Sequence, residues 1–414
     1  MRGPAAFPIV IAAGGTGGHF FPAEALAGEL VARGRRVALM TDARSGGLES
    51  PVFAGLERFV ISGAGIAGRG PLRAAKAALS LAGGVFQARR ILARTHAAAV
   101  VGFGGYPCVA PVLATRLMRD RPTVILHEQN AVLGRANRFL ARHADRLALS
   151  FAVTERVPKI ATLVTGNPVR SAIAALATVP YVPPVATVRL LVLGGSLGAR
   201  VFSDVVPTAL ASLPDPLLAR VAVVQQCRPE DLGRVRATYD LAGIDAELST
   251  FFPDVAEKLG SAHLVIARAG ASTVAELAIA GRPAILVPLP GAIDDHQSAN
   301  ARALADARGA SVIAQRDFSP DALRDRLAAL LASPDMLAHA ARAARSIART
   351  DAMALLADLV EAVMRQEASK DMTEFSIPSW PGLARPSTSC PTASGDDVDG
   401  RAKPGHDGGV ETRR

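Results

Sequence analysis

Pro8-Ile9-Val10-Ile11-Ala12-Ala13 runs directly into Gly14-Gly15-Thr16-Gly17-Gly18-His19, and this stretch decides the fold. The short apolar run predicts a buried strand, and the glycines let the backbone turn sharply into a helix. The pattern returns at Arg189-Leu190-Leu191-Val192-Leu193 and Gly194-Gly195-Ser196-Leu197-Gly198-Ala199. The free N–H groups and positive dipole at the start of each helix favour an anion. Two such turns predict a phosphorylated ligand held between two α/β domains.

Composition agrees with two α/β domains. The 414 residues exceed what one hydrophobic core usually supports, and half of them are hydrophobic but only 4% aromatic. The formal charge of +9 is compatible with acidic substrates, anionic membrane surfaces or nucleic acid. No Lys-rich block and no interleaving of basic with aromatic residues is present, so no nucleic-acid partner is expected.

Cysteine usage and hydropathy bear on the compartment. Cys108, Cys227 and Cys390 show no metal-ligand spacing, which predicts no metal site and a reduced, cytoplasmic setting. The first apolar run is too short for a signal peptide, and no run reaches the ~18–20 residues that span a bilayer. We therefore expect a protein that is soluble or attached to a membrane by its surface.

Short apolar runs alternate with helical patterns in both halves. Residues 22–33 have apolar positions at helical spacing, and Gly34 ends the pattern. Nearly continuous apolar strands are typical of parallel sheets covered on both faces. We therefore predict an α/β fold with two doubly wound parallel-sheet domains. The predicted strands are residues 9–13, 37–40, 97–102, 123–126, 190–193, 222–225, 264–267 and 284–287.

Composition shifts place the predicted domain boundaries. A turn begins at residue 165 and a Pro-rich linker spans 180–184, so we assign 1–167 and 168–345 to the two domains. Residues 337–365 form an Ala- and Leu-rich helical stretch, within which 346–368 is the closing helix. Residues 369–414 are rich in Pro, Gly, Ser, Thr and Asp and have little to bury. We predict that this tail is disordered.

The glycine turns do not match the common nucleotide motifs. Counted from Gly15, the third glycine position of a dinucleotide fingerprint holds Phe20, and in the second copy Ser196 occupies the second position. No Gly-Lys-Ser/Thr follows either turn, which excludes a Walker P-loop. His19 begins the first helix, where the helical N–H dipoles favour the neutral imidazole of a general base. A helix cap or a core histidine is the alternative reading.

Polar clusters follow three of the predicted strands. His127-Glu128-Gln129-Asn130 stands where the carboxyl edge of the first sheet should bind ligands, although a solvated loop would look the same. In the segment 267–276 we expect Ser272 and Thr273 to cap a helix, with Glu276 one turn inside. Glu276 could bind a ribose diol or complement the helix dipole. The segment 294–301, with Asp294, Asp295, His296 and Gln297, suggests either sugar recognition or helix capping.

These motifs together resemble the MurG family of bacterial transferases. That family adds N-acetylglucosamine (GlcNAc) to lipid I, an undecaprenyl-diphosphate-linked muramyl pentapeptide. The resemblance covers residues 8–365, and seven motifs stand in the family's order. They are 14–22, Gly102-Phe103-Gly104-Gly105-Tyr106, 127–131, Gly166-Asn167-Pro168-Val169-Arg170, 194–200, 268–273 and 296–301. Two departures are Phe252, where an aliphatic residue is usual, and Leu133, where proline is common.

The resemblance implies a GT-B architecture, in which two domains face a cleft. The second domain would hold UDP-GlcNAc and the first domain the lipid acceptor. Within this picture Glu276 binds the ribose, Gln297 the GlcNAc, Ser196 the diphosphate and the Phe252 backbone the uracil. The donor-binding residues implied by motif are Thr16, Gly17, Gly18, Asn130, Arg170, Ser196, Phe252, Ala271, Ser272, Thr273, Val274, Ala275, Glu276 and Gln297.

The implied reaction is an inverting transfer to the C4 hydroxyl of MurNAc, which forms lipid II for peptidoglycan, cell shape and division. His19 is the first candidate for the base and Glu128 the second. No Asp-x-Asp occurs before Asp397-Val398-Asp399, so we expect no metal and no cofactor, with helix dipoles and Arg170 stabilising the UDP. A UDP-GlcNAc epimerase and a nucleotide-binding regulatory module are the alternatives.

A lipid acceptor implies contact with the membrane. Residues 66–94 mix basic and apolar side chains without an acidic residue, as in surface-bound amphipathic helices. The resemblance implies an apolar patch with basic neighbours in this domain, at the cytoplasmic face of the inner membrane with its anionic lipids. A helix packed on the sheet with a solvated basic face is the alternative. The predicted membrane surface comprises Leu72, Arg73, Lys76, Leu79 and Phe86.

Overall fold

Two parallel sheets organise the computed structural model, which describes residues 7–14, 17–43, 50–62, 71–195 and 198–374, excepting the side chains of 71–74 and 367–374. Residues up to Lys370 belong to one compact unit that contains both sheets. We call the part built on the first sheet the first lobe and the part built on the second sheet the second lobe. The predicted pair of parallel α/β domains is confirmed.

The first sheet has the strand order β3-β2-β1-β4-β5-β6-β7. Its strands are β1 (Ile9–Ala12), β2 (Val37–Asp42), β3 (Glu57–Ile61), β4 (Ala99–Gly102), β5 (Thr123–Glu128), β6 (Arg146–Leu149) and β7 (Thr162–Val164). The helices of this part are α1 (Gly17–Ala32), α2 (Pro51–Ala54), α3 (Pro71–Thr95), α4 (Val109–Thr115) and α5 (Arg135–Leu140). α1 begins five residues before Pro22, the predicted start, because the glycine turn itself enters the helix.

The second sheet has the strand order β10-β9-β8-β11-β12-β13. Its strands are β8 (Val188–Leu193), β9 (Val221–Gln226), β10 (Asp245–Ser249), β11 (Leu264–Ala267), β12 (Ala284–Leu286) and β13 (Ala310–Val312). The remaining helices are α6 (Ser171–Ala174), α7 (Arg200–Ala211), α8 (Asp215–Leu218), α9 (Leu232–Leu241), α10 (Val255–Ser261), α11 (Ala271–Ala280), α12 (His296–Asp306), α13 (Pro320–Leu331), α14 (Pro334–Ser346) and α15 (Ala352–Glu374).

Both glycine turns lie where the strand order reverses. β1 pairs with β2 on one side and β4 on the other, and β8 pairs in the same way with β9 and β11. Connections that leave in opposite directions open a crevice at the carboxyl ends of these strands, which is where such sheets bind ligands. The turns after β1 and β8 therefore enter these two crevices.

The C-terminal segment returns to the first lobe. The prediction of one helical stretch over 337–365 is wrong, because α14 ends at Ser346 and α15 begins at Ala352. The break lets the chain leave the second lobe, and Leu356, Val360 and Val363 then pack in the core of the first lobe. α15 also continues to Glu374, past the predicted start of the disordered tail. Residues 375–414 lie outside the described residues.

Ion pairs hold α15 against α1 and the turn after it. Arg33 Nη1 lies 2.6 Å from Asp358 Oδ1, and Arg35 Nε lies 2.6 Å from Glu361 Oε1. Together with the apolar packing of Leu356 and Val360, these contacts make α15 part of the first lobe's helical layer. The boundaries predicted at residues 168 and 346 stay predictions.

Candidate active site

His19 stands in the first turn of α1 and contacts the polar loop that follows β5. Its Nδ1 lies 2.9 Å from Gln129 Oε1. On the other edge of the ring, a Cβ at Gly105 would come within 3.4 Å of His19 Nε2. Gly105 has φ 69°, in the left-handed region that favours glycine. The loop after β4 therefore approaches the imidazole closely because it carries no side chain there.

Two buried side chains support this contact. Gln129 Nε2 donates to the Phe103 carbonyl at 2.9 Å and lies 3.1 Å from His127 Nδ1. His127 Nε2 in turn lies 3.1 Å from the Gly166 carbonyl. Burial lowers the pKa of His127 to about 4, so its imidazole is neutral at physiological pH. Gln129 and His127 were not predicted as site residues, although both belong to the polar motif after β5.

The Glu128 carboxylate is occupied by the loop that surrounds it. Oε1 accepts from the Asn130 backbone N–H at 3.0 Å and from Asn130 Nδ2 at 3.1 Å. Oε2 accepts from the Gly134 N–H and from Asn137 Nδ2, both at 2.9 Å. The residue is 2% exposed. A carboxylate with four donors is suited to ordering a loop, and both Glu128 oxygens are already engaged by that loop.

Asn130 connects the two lobes through Asn300 of α12. Asn300 Nδ2 donates to Asn130 Oδ1 at 3.1 Å and to the Ala269 carbonyl at 3.1 Å. Asn300 Oδ1 accepts from the Ala131 N–H at 2.8 Å. Since Asn300 is fully buried, one amide joins the loops after β5 and β11. Asn300 belongs to the 294–301 segment that suggested sugar recognition, but its contacts across the lobes were not predicted.

Arg170 and Glu276 form the charged part of the site. Arg170 Nη2 lies 3.7 Å from Glu276 Oε1, and the guanidinium carbon lies 4.8 Å from the centre of the Phe21 ring of α1. Burial raises the pKa of Glu276 above its ordinary value, and Arg170 opposes this shift. An ion pair of 3.7 Å is longer than a charge-assisted hydrogen bond, so both groups keep bonding capacity for a ligand.

Glu276 is the sixth residue of α11, beyond the first turn, where the helix dipole no longer favours an acidic side chain. The structure thus gives no support to the helix-dipole reading of Glu276. The expected capping by Ser272 and Thr273 is wrong: Gly270 is the N-cap, and no side chain caps the helix. Ser272 Oγ is buried and has no hydrogen-bond partner among the described residues. Ala271, Thr273, Val274 and Ala275 complete the first half of α11.

The second glycine turn is built tightly around Gly194. A Cβ there would lie 2.4 Å from the Ala199 nitrogen, so only glycine fits. Gln226, which was not predicted, braces the turn: its Oε1 accepts from the Gly194 N–H at 3.1 Å, and its Nε2 donates to the Gly195 carbonyl at 3.1 Å. Thr16 and Ser196, the predicted donor ligands of the two turns, lie outside the described residues.

The remaining predicted donor residues that the structure describes include Gly17, Gly18, Phe252 and Gln297. Gly17 and Gly18 open α1, and a Cβ at Gly17 would meet the Phe21 ring at 2.8 Å. Phe252 is buried, and Gln297 Oε1 accepts from the Leu289 N–H at 3.0 Å. Across the described residues, no hydrogen bond or ion pair joins Gln297 or Phe252 to the other predicted ligands.

Asp294 forms a second connection between the lobes. It accepts from Arg138 of α5 at 2.7 Å and from Arg156 at 2.5 Å, and Arg135 lies 3.7 Å away. These guanidinium groups lower the pKa of Asp294, with Arg156 the main cause. Asp294 and Asp295 both have positive φ, 58° and 52°. The prediction of sugar recognition or helix capping missed this role, which depends on three arginines distant in sequence.

Comparison with known proteins identifies the family. Residues 9–149 match the glycosyltransferase family 28 N-terminal domain, and residues 189–356 match its C-terminal domain. The UDP-N-acetylglucosamine–N-acetylmuramyl-(pentapeptide) pyrophosphoryl-undecaprenol N-acetylglucosamine transferase of Granulibacter bethesdensis is 63% identical over 87% of this chain and 94% of its own. The chain belongs to the MurG family. The MurG-family transferase of the same name from Acidiphilium cryptum is 56% identical over 87% of this chain and 98% of its own.

A solved MurG structure agrees with the fold. Acinetobacter baumannii MurG is 30% identical, aligns with a TM-score of 0.69, and covers 86% of this chain and 99% of that one. The predicted GT-B architecture of the MurG family is thereby confirmed. His19 and Glu276 lie in the helices that follow β1 and β11, whereas Arg170 follows β7 and Gln297 follows β12.

α3 carries the surface that sequence reasoning assigned to the membrane in this MurG-family chain. Leu79 is 75% exposed and Phe86 64% exposed, seven residues apart on one helical face, and Lys76 is exposed nearby. Val85, which also belongs to the basic and apolar stretch 66–94, packs in the core. The side chains of Leu72 and Arg73 lie outside the described set. No helix among the described residues is long and apolar enough to cross a membrane.

Proposed function

We propose that this protein transfers GlcNAc from UDP-GlcNAc to the C4 hydroxyl of MurNAc in lipid I, which forms lipid II for peptidoglycan synthesis. The observation that carries the proposal is the 63% identity, over 87% of this chain, with a transferase named for this reaction. The protein is a UDP-GlcNAc-dependent N-acetylglucosaminyltransferase. The geometry around His19, Arg170 and Glu276 supplies the groups that such chemistry requires.

The donor site lies between the two glycine turns. Glu276 accepts from the ribose hydroxyls, and the unpartnered Ser272 hydroxyl and Arg170 Nε are available to the nucleotide. Arg170 belongs to the joint between the lobes, yet it reaches both Glu276 and Phe21 of α1. This position suits a cation that stays beside the diphosphate while the sugar is transferred. Asn130, Gln297, Phe252 and the glycine turns complete the proposed donor contacts.

The acceptor hydroxyl must lose a proton as it attacks the anomeric carbon. His19 is the proposed base because its Nδ1 is engaged by Gln129 and its Nε2 borders the side-chain-free loop at Gly105. The proton passes to His19 while the bond between the anomeric carbon and UDP breaks. Arg170 and the first turns of α1 and α11 stabilise the departing diphosphate electrostatically.

We further propose that the exposed face of α3 binds the cytoplasmic side of the inner membrane. Leu79 and Phe86 would insert between lipids, and Lys76 and Arg90 would attract anionic headgroups at about 1 kcal/mol each. The buried face of the same helix, with Val85 and Leu92, packs on the sheet. α3 therefore has one face packed on the sheet and one exposed face. The sequence left open whether this helix packs on the sheet or binds the membrane, and the two faces allow both.

A single assay separates transfer from its alternatives. Purified protein is incubated with UDP-GlcNAc and lipid I, and the products are resolved by mass. A transferase yields lipid II and UDP, an epimerase yields the 2-epimer of the donor without lipid product, and a regulatory module yields neither. Transfer that survives EDTA supports the metal-free mechanism, whereas activity lost with EDTA and restored by Mg²⁺ contradicts it.

A further inference from the structure

The hydrogen bonds behind His19 have a direction that two backbone carbonyls determine. A carbonyl oxygen can only accept, so the atom placed against it must carry a hydrogen. The Gly166 carbonyl lies 3.1 Å from His127 Nε2, and the Phe103 carbonyl lies 2.9 Å from Gln129 Nε2. These contacts require a protonated His127 Nε2 and place the NH₂ group of the Gln129 amide toward Phe103.

The protonated His127 Nε2 and the orientation of the Gln129 amide determine the remaining hydrogen bonds of this network. A neutral His127 with its proton on Nε2 has a lone pair on Nδ1, which accepts from Gln129 Nε2 at 3.1 Å. If the amide were flipped, its oxygen would stand 2.9 Å from the Phe103 oxygen, and two acceptors would face each other. The Ser150 hydroxyl, 3.5 Å from His127 Nε2, is too distant to reverse the assignment.

Gln129 therefore presents its oxygen to His19. Oε1 lies 2.9 Å from His19 Nδ1 and has no hydrogen to donate, so Nδ1 must carry the proton. The free lone pair of the neutral imidazole is then on Nε2. That nitrogen is the one beside Gly105, where a Cβ would come within 3.4 Å.

We infer that Gln129 and His127 are positioning residues that fix His19 in the Nδ1–H tautomer and leave Nε2 as the proton acceptor. Neither residue needs to touch the substrate or change its own protonation. Gln129 is 2% exposed and His127 is fully buried, so the arrangement is in place before any ligand binds. The neutral side chain of a solvated histidine prefers the Nε2–H form, and the buried Gln129 amide reverses that preference for His19. The inference about rate depends on the proposed role of His19 as the base, whereas the tautomer does not.

The decisive measurement is the nitrogen NMR spectrum of the full chain labelled with ¹⁵N-histidine, at a pH above the imidazole titration. His19→Gln identifies the His19 signals by their loss. The inference predicts that wild-type His19 is protonated on Nδ1. Gln129→Leu should abolish this preference and lower kcat by roughly 10²-fold, within the range a general base contributes, with the KM for UDP-GlcNAc nearly unchanged. Gln129→Glu is not a conservative replacement, because its second oxygen would face the Phe103 carbonyl and the His127 Nδ1 lone pair, two acceptors that Gln129 Nε2 satisfies.

An Nε2–H tautomer in the wild type overturns the inference, and so does an Nδ1–H tautomer that survives in Gln129→Leu. If the Leu variant does not fold, the wild-type spectrum still decides, because an Nε2–H form of His19 in the wild type contradicts the inference by itself. His19→Ala tests the proposed function separately. Unchanged turnover in that variant removes His19 as the base without affecting the tautomer result.

Discussion

Asn300 Nδ2 of the second lobe, whose side chain is fully buried, donates to the half-buried Asn130 Oδ1 of the first lobe at 3.1 Å. The same Asn300 side chain also serves the Ala131 N–H and the Ala269 carbonyl. Each lobe therefore supplies polar groups that only the other lobe satisfies. This contact joins the loop after β5 to the loop that precedes α11.

Replacing Asn300 should lower the free energy of unfolding. Asn300→Leu leaves the Ala131 N–H and the Ala269 carbonyl without their partner, which costs about 1–3 kcal/mol for each buried group left unsatisfied. Chemical unfolding of the variant measures the loss. A double-mutant cycle of Asn130→Ala and Asn300→Ala should show a coupling free energy of roughly 0.5 kcal/mol or more, as for residues in one hydrogen-bond network. Additive effects would mean that the two amides act independently.

Glu276→Ala should weaken UDP-GlcNAc binding. The change removes a charged acceptor for the ribose hydroxyls, which costs about 1–3 kcal/mol, or roughly a 5- to 150-fold rise in Kd. Isothermal titration calorimetry of the folded variant measures it. Glu257→Ala is the matched control, since Glu257 is an exposed glutamate in the first turn of the neighbouring α10. Equal donor affinity in both variants would remove Glu276 from the donor site.

His127 should make the protein less stable in mild acid. Its pKa is lowered to about 4 in the folded protein, against about 6.5 in the unfolded chain. Between these values the unfolded state binds the extra proton, so the free energy of unfolding falls as the pH falls from 6.5 towards 4. The loss is on the order of 3 kcal/mol at most.

Unfolding by urea at several pH values tests this dependence. His127→Gln should flatten the change in stability between pH 6.5 and 4, because the titrating group is gone. His339→Gln, at an exposed position of α14, should leave the slope as in the wild type. A slope that His127→Gln does not alter would assign the acid sensitivity to other groups.

The exposed face of α3 should govern membrane binding. A variant with Leu79→Ser, Phe86→Ser and Lys76→Glu loses two apolar side chains and gains a repulsive charge. It should no longer sediment with vesicles that contain anionic lipid, because insertion and electrostatic attraction are both removed. Transfer to a short-chain soluble acceptor should be retained, since these residues lie outside the proposed donor site.

The control variant replaces two exposed apolar residues by Ser and one exposed basic residue by Glu on the second lobe. Its changes are Val185→Ser, Leu241→Ser and Arg316→Glu. Val185 and Leu241 are about nine-tenths exposed, and Arg316 is an exposed cation. Sedimentation of this control should match the wild type. If the α3 variant sediments equally well, the membrane surface lies elsewhere on the molecule.

The sequence predicted the central strands better than the edges of the sheets. β1, β4, β8 and β11 are fully or mostly buried, so their apolar runs are nearly continuous. β10, at the edge of its sheet, contains Asp245 and Glu247 and is only partly buried. Its composition matches that of a loop. The other edge strands, β3, β7 and β13, also escaped prediction, and so did the inner strand β6, which has only four residues and begins with Arg146.

The positions of the candidate site residues could be predicted where they depend on a local motif. The glycine turns, His19 and Glu276 each stand at a strand end or in the first half of a helix, and both positions follow from local patterns. The contacts of Gln129, Asn300 and Asp294 join segments that are distant in the sequence, and local spacing carries no signal for such pairs. Glu128 was a candidate for the base because it belongs to a polar motif, but its carboxylate is buried and accepts hydrogen bonds from its own loop. The motif alone does not predict these contacts.

The most direct test of the central claim is the linkage in the product. Purified protein is incubated with UDP-GlcNAc and lipid I, and the isolated disaccharide is analysed by NMR and mass spectrometry while UDP release is counted. The account predicts one UDP per lipid product and GlcNAc joined β-1,4 to MurNAc. An α-linked disaccharide, or UDP-GlcNAc consumed without any glycosylated lipid, would contradict it.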